Sequence, residues 1–270
     1  MTIKIYIATQ RPIDRPPKNY VPLIVGKPEL SIEGALNDST GDSISARNKF
    51  YCELTGHYWI WKNDRCSEIV GLCQYRRFLW IDEPPRRLCS QSFRSAGECR
   101  EHLSTARLTR LLDGYDIILP RRYAFSRDTI ETQFVRAHGR ENFYRMVGAL
   151  ERRQPECLST ARKVFGRRTE HLANLLIARK PTFDKYSEWL FDVLFDVERR
   201  GGLEARMPGY MSERLLNVYV EHFRLRVREV PLIFIGDEKD SARIDLRYIK
   251  RRYLPELLTL EESFRRKFKG

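Results

Sequence analysis

Paired arginines recur along this chain, and two pairs fall where a β-strand should end: Arg76–Arg77 after EIVGLCQY, and Arg121–Arg122 after YDIILP. A guanidinium grips phosphate oxygens in a two-pronged fashion, so a pair at a strand end suits a diphosphate. Pairing with carboxylates such as Asp42 or Glu53 is the structural use of the same side chains. The polar loop NDSTGDSIS and the segment after it bring Asp38, Asp42, Asn48 and Glu53 close together. Such a set caps a helix or binds sugar hydroxyls. Glu213, in PGYMSERLLNVY, follows a loop and opens a helix. A carboxylate there serves as a general base or as a favourable first-turn charge. Other chemistries lack their patterns. There is neither a GxGxxG loop nor a P-loop, no GxSxG elbow and no HExxH, and the five histidines are well separated.

The elements that must position these groups alternate in kind. Residues 3–8 (IKIYIA) read as a buried first strand that ends near Thr9, and the proline-rich RPIDRPPKNYVPL as an extended loop. Phe50, Leu54, Tyr58 and Trp61 share one helical face, with Ser45 as N-cap. EIVGLCQY reads as a short buried strand, 99–112 as a helix, YDIILP (115–120) as a strand and 130–165 as helical with a break at Pro155. HLANLLIAR (171–179) follows as a strand, PTFDKYSEWLFDVLFDVERR as an amphipathic helix, MSERLLNVYVEHF as another helix and RVREVPLIFIG as a last strand. Strands alternating with helices imply an α/β fold with a mostly parallel sheet covered on both faces. One domain over 1–240 is the expected organisation, followed by a basic amphipathic helix over 241–270. That tail lies on an anionic membrane surface or packs on the domain with its cations outward.

At 270 residues, with 42% hydrophobic and 31% charged residues, the chain reads as globular. No stretch reaches the roughly 20 apolar residues of a membrane span. MTIKIYIATQRP lacks the pattern of a signal peptide, so a cytoplasmic protein is expected, peripheral at the inner membrane face if the tail binds lipid. Six cysteines without C-x-x-C spacing read as free thiols. The net charge of +13 asks for an anionic partner: nucleic acid, anionic lipid or a phosphate-bearing substrate. Nucleic acid is not expected, since no zinc-finger spacing, RNP-like strand or GxxG loop appears and the arginines are dispersed.

In order, the motifs NDSTGDSIS, Asn48, YCELTGHYWIWKN, IVGLCQYRRFL, DIILPRR, HLANLLIAR, YSEWLFDVLFDVE and SERLLNVYVE resemble a bacterial family known only as a domain of unknown function. That family occurs in capsular-polysaccharide and O-antigen gene clusters. It is similar to GT-A-fold glycosyltransferases, among them the galactofuranosyltransferase module of some O-antigen polymerases. The resemblance runs from residue 3 to about 235. It implies a GT-A-like, Rossmann-like single domain that moves a hexose, galactofuranose or galactose, from a UDP-sugar to a surface-polysaccharide or lipid-linked glycan acceptor. The alternative is a non-catalytic partner with the same fold in a polysaccharide-assembly complex.

The family's pattern falls on Asp38, Thr40, Gly41, Asp42, Asn48, Glu53, Trp61, Tyr75, Arg76 and Arg77, then on His138, Asn174, Trp189, Ser212, Glu213 and Asn217. Ligands in such a sheet bind beyond the carboxyl ends of strands, which selects Thr9, and the resemblance adds Thr40, Gly41, Asp42, Asn48, Tyr75, Arg76, Arg77 and Asn174 to the expected donor site. It implies Glu213 as the base, with Asp42 as the second choice. Gln74 stands where the family usually has histidine, and TQFVRAHGRENF matches more loosely. Ordinary GT-A enzymes carry Asp-x-Asp to hold a divalent ion on the diphosphate, and this chain has no Asp-x-Asp. Tyr75-Arg76-Arg77 takes the corresponding place. The expectation is guanidinium charge in place of the ion, with no metal and no other cofactor.

Overall fold

The computed structural model describes residues 1–13, 16–85, 88–95 and 97–236. The tail helix expected over 241–270, and Arg86–Arg87, lie outside the described residues.

Ile3–Thr9 forms β1, with Ile5 and Ile7 in the core on one face and Tyr6 and Ala8 in the core on the other. That is the period of two its alternation requires. The strands that follow are β2 (Tyr20–Ile24), β3 (Leu36–Asn37), β4 (Ile69–Gln74), β5 (Arg77–Leu79) and β6 (Ser90–Phe93). Then come β7 (Ile117–Pro120), β8 (Tyr123–Ala124), β9 (Thr169–Glu170), β10 (Leu176–Arg179), β11 (Val227–Val230) and β12 (Leu232–Ile235). The main sheet has the order β11-β7-β10-β4-β1-β2-β3, with β5, β6 and β12 attached beside β4. Along this path every strand is parallel except β10, which runs against both β4 and β7. A separate ribbon pairs β8 with β9.

The helices are α1 (Asn48–Tyr51), α2 (Leu54–Asn63), α3 (Leu108–Leu111), α4 (Ile130–His138), α5 (Arg140–Arg153), α6 (Leu158–Phe165), α7 (Lys180–Arg199) and α8 (Met207–His222). One buried cluster unites α2, α4, α5, α7 and α8 with Tyr6, Leu72 and Leu176 of the sheet. The opposite face buries Ile5, Ile177 and Ile233 with Leu103 and Leu108. The result is the expected α/β fold, helices on both faces of a mostly parallel sheet. No helix among the described residues is long and apolar enough to cross a membrane, and all six cysteines are free thiols.

Several local expectations change. The helix expected from Ser45 is broken: a 3-10 turn over Ser45–Arg47 leads into α1, and Cys52, at φ 51°, interrupts it before α2. Ser45 caps nothing, because its hydroxyl donates to buried Asp38. The segment 99–112 holds two 3-10 turns before the short α3. HLANLLIAR is a strand only from Leu176, since Ala173 and Asn174 adopt left-handed backbone, φ 76° and 52°. RVREVPLIFIG is two strands, parted at Pro231, which has no amide hydrogen for the ladder. Helix α8 starts six residues before Glu213, with Pro208 in its first turn. Glu213 therefore sits in the second turn, and the first-turn-charge reading does not apply to it.

Strand β1 lies between β2 and β4, so the chain departs from it to opposite sides. In an open sheet of this kind a crevice opens where the carboxyl ends of two such strands diverge. Here those ends are Thr9 of β1 and Gln74 of β4.

Candidate active site

The crevice at the ends of β1 and β4 is a cavity of about 530 Å³, lined by Thr9, Gln10, Asn48, Glu53, Tyr75, Arg76 and Arg77, among others. Its walls are fixed by short polar links. The Thr9 hydroxyl donates to the Arg11 carbonyl, and the Gln10 amide donates to Asn48 Oδ1 at 3.2 Å and to the Val25 carbonyl. Asn48 Nδ2 donates to the Cys52 carbonyl and to Thr55 Oγ1, which holds the kink between α1 and α2. Tyr75 and Arg76 are the two-residue turn between β4 and β5, and Arg77 opens β5. Arg77 Nη1 donates to Gln74 Oε1 at 3.1 Å. Both arginines are exposed. Among the described residues neither is in an ion pair, and their recorded partners are Gln74 and the rings of Tyr75 and Phe234. The carboxylates that would occupy them structurally are engaged elsewhere, Glu53 with Asn174 and Asp42 with Tyr58.

Arg77 also lines a second cavity, of about 510 Å³, together with Glu213, Arg214, Glu170, Tyr210 and His138. Glu213 Oε1 accepts the Ala173 amide at 2.9 Å, and Oε2 accepts Arg214 Nη1 at 2.7 Å. Burial raises the Glu213 pKa and the nearby charge of Glu53 adds to this, while Arg214 and Arg77 oppose it. A carboxylate raised in this way is a better proton acceptor near neutral pH. Arg214 is 3% exposed, yet it is well held: its guanidinium also donates to Gln133 and to the Tyr210 carbonyl, and it faces the Phe134 ring at 5.3 Å. Glu170 is fully buried, and neither of its carboxyl oxygens has a hydrogen-bond partner. Arg214 lies 3.5 Å away, an ion-pair distance without a hydrogen bond. Burial therefore dominates and pushes the Glu170 carboxyl up to about 8, with Arg214 lowering it and Glu213 raising it. His138 stacks on Tyr210, ring centroids 4.0 Å apart, and burial lowers its pKa.

The structure thus brings Thr9, Asn48, Tyr75, Arg76, Arg77 and Glu213 to one edge of the sheet. Asn174 stands behind them. Its side-chain amide donates to Glu53 Oε1 and to the Gly209 carbonyl, and its oxygen accepts the Ser212 hydroxyl. Thr40, Gly41 and Asp42 line neither cavity. Thr40 accepts the Trp59 indole, the Asp42 amide donates to Asn63, and a side chain on Gly41 would collide with the Asn63 side chain. These three clasp the end of α2. The second arginine pair is also engaged: Arg121 donates to the carbonyls of Pro85 and Leu88, and Arg122 lies against Glu229 and His171. Glu170, Arg214, Gln133 and Tyr210 escaped the sequence reading. A single buried acid in RRTEHLAN has no periodicity to announce it, and an Arg beside Glu213 reads as a solvated helix charge. Among the described residues, no group of three or more His, Cys, Asp and Glu side chains is arranged to hold a metal ion.

The profile of a family described as a domain of unknown function, DUF4422, matches residues 4–224. Among solved structures, the WbbM bifunctional glycosyltransferase in its apo form is similar, with a TM-score of 0.78 and 27% identity over 88% of this chain and 46% of that one. The chain spans less than half the length of that structure. No curated protein matches.

Glu170 sets a pH test of this geometry. Its folded pKa exceeds the ordinary carboxyl value, so the stability it contributes is present below about pH 4.5 and is lost as pH rises towards about 8. Urea unfolding of Glu170→Gln across that window should show the variant gaining on the wild type as pH rises, by up to roughly 1.4 kcal/mol per pH unit. Parallel stability curves would mean that Glu170 is ionised throughout, paired with Arg214.

Proposed function

The chain belongs to the DUF4422 family, and from that premise we propose that it is a glycosyltransferase. In this reading it moves a hexosyl group from a UDP-sugar to a hydroxyl of a surface-polysaccharide or lipid-linked glycan acceptor, without a divalent metal. One observation carries the proposal: two arginines without acidic partners among the described residues stand at the carboxyl end of β4, and Arg77 is shared with the cavity that holds Glu213. The likeness to a bifunctional glycosyltransferase supports the reaction class.

In this reading the UDP moiety lies in the crevice at β1 and β4, with its diphosphate against Arg76 and Arg77. The acceptor hydroxyl enters the cavity beside Glu213. As the acceptor oxygen bonds to the anomeric carbon, its proton passes to the Glu213 carboxylate. The bond from the anomeric carbon to the diphosphate breaks, and the departing negative charge meets the guanidinium groups. Tyr210 and His138, stacked on one another, line the same cavity as Glu213 and Gln133 and offer aromatic surface to a sugar ring. Galactofuranose or galactose is the sugar we propose. The work is placed in the cytoplasm, at the inner membrane face where a lipid-linked acceptor would present itself.

Thermal denaturation with UDP tests the donor site, because a ligand bound to the native state raises the melting temperature by mass action. UDP should stabilise the wild type, and Arg77→Gln should weaken UDP binding roughly tenfold or more, the scale of a lost charge-assisted contact. No response to UDP or UDP-sugars would sink the donor assignment. Glu213→Gln should keep UDP binding and lose about 10²-fold or more in turnover. Wild-type turnover should fall as pH drops through the raised Glu213 pKa, because the protonated carboxyl accepts no proton. Unchanged turnover in the variant would remove Glu213 from the chemistry. Metal independence fails if EDTA abolishes transfer and manganese restores it.

A further inference from the structure

A second crevice opens along the same edge of the sheet, on the other side of Tyr75. Strand β12 is parallel to β6 and antiparallel to β5, and β5 is antiparallel to β4. The carboxyl ends of β4, β6 and β12 therefore point the same way as that of β1. Arg11 follows β1, Arg76 lies in the turn after β4, and Arg94 follows β6. These three and Arg100 line a cavity of about 700 Å³ with no acidic side chain among the described residues of its lining. Tyr75 and Arg76 line both this cavity and the crevice assigned to the donor.

Two features point to what this cavity takes. Arg11 and Arg76 converge on one aromatic ring, their guanidinium carbons 4.3 and 5.1 Å from the Tyr75 centroid, and Arg11 Nη2 donates to the Tyr75 hydroxyl at 2.9 Å. Among the described residues neither cation is in an ion pair. Like charges gathered at one place repel, and an anion between them removes the cost. Glu98, four residues after Arg94, accepts the Arg94 backbone amide and is not part of the described lining. Pro12, Ile13 and Ile235 give the wall an apolar stretch, beside Ser95 and two glycines. Guanidinium groups facing apolar carbon suit a phosphate ester on a hydrocarbon stem better than a free inorganic ion.

We propose that this arginine-lined cavity binds the phosphate head of an amphiphile, with the first carbons of its apolar chain against Ile13 and Ile235. The site shares Tyr75 and Arg76 with the donor crevice and adds Arg11, Arg94 and Arg100 of its own, so that a nucleotide and an amphiphile occupy the protein side by side. The head comes from one of two sources: the lipid that carries a glycan acceptor, or a bulk anionic membrane lipid. The chemistry of the site stands whether or not the crevice beside it binds UDP.

Geranyl diphosphate serves as a soluble probe, titrated calorimetrically into the full chain with and without saturating UDP. Binding should persist in the presence of UDP and exceed that of inorganic pyrophosphate. Arg94→Gln should weaken it about tenfold while UDP binding stays unchanged, since Arg94 is exposed and outside the donor crevice. Co-sedimentation with phosphatidylglycerol vesicles, against phosphatidylcholine controls, separates the sources. Capture that Arg94→Gln weakens assigns the head to membrane lipid, and no capture alongside tight diphosphate binding assigns it to the acceptor's carrier. Displacement of the probe by UDP, or an Arg94→Gln variant that binds like the wild type, overturns the proposal. Absence of UDP binding alone leaves the probe titration readable and counts only against the donor assignment.

Discussion

Ala173 and Asn174 hold left-handed backbone immediately before β10, a conformation that costs a residue with a side chain about 1–3 kcal/mol unless its surroundings enforce it. Here they do. The Ala173 amide donates to Glu213, and the Asn174 side chain reaches Glu53, Gly209 and Ser212 at once. One strained pair of peptides thereby ties the start of α2, the head of β10 and the second turn of α8 together. Strand β10 is the reversed strand, so its amino end, rather than its carboxyl end, arrives at the edge where β1, β4 and β7 finish. Without that reversal Ala173 would lie on the opposite edge of the sheet, far from the arginines of the β4–β5 turn.

The same kink explains why buried charge is tolerated here. Arg214 has almost no contact with solvent, and its hydrogen bonds go to Glu213, Gln133 and the Tyr210 carbonyl. One buried cation faces buried Glu170 and part-exposed Glu213, and burial raises the proton affinity of Glu170. With Glu170 protonated, Arg214 and Glu213 form a single net ion pair, which avoids the large penalty of an uncompensated charge. Geometry and protonation together leave Glu213 as the acid whose charge faces the shared cavity.

Much of the fold was legible because burial writes periodicity into sequence. IKIYIA, EIVGLCQ and DIILP, and the long helix after Lys180, could be read from apolar spacing alone. Less legible were features that depend on partners remote in sequence. Nothing local says that residues 176–179 run antiparallel, that Cys52 breaks a helix whose apolar face looks continuous, or that Pro208 moves the start of α8 ahead of Glu213. The site divides in the same way. Arg76 and Arg77 could be found because a strand end is a local signal, and Glu213 because the resemblance pointed to it. Thr40, Gly41 and Asp42 share their motif but clasp α2, since a conserved-looking polar loop reads alike whether it touches a ligand or a helix end. Glu170 and Arg214 are visible only once the chain between them has folded back.

Arg77 borders both cavities, and its positive field is among the influences that hold down the proton affinity of Glu213. A diphosphate resting on Arg77 would cancel that field. Glu213 would then become more basic at the moment the leaving group is in place, and less so in an empty protein. Such an arrangement couples the readiness of the proton acceptor to the presence of the donor, and by linkage makes the two occupancies reinforce one another. A stray hydroxyl entering alone would meet a weaker base, a guard against wasted turnover that needs no moving lid.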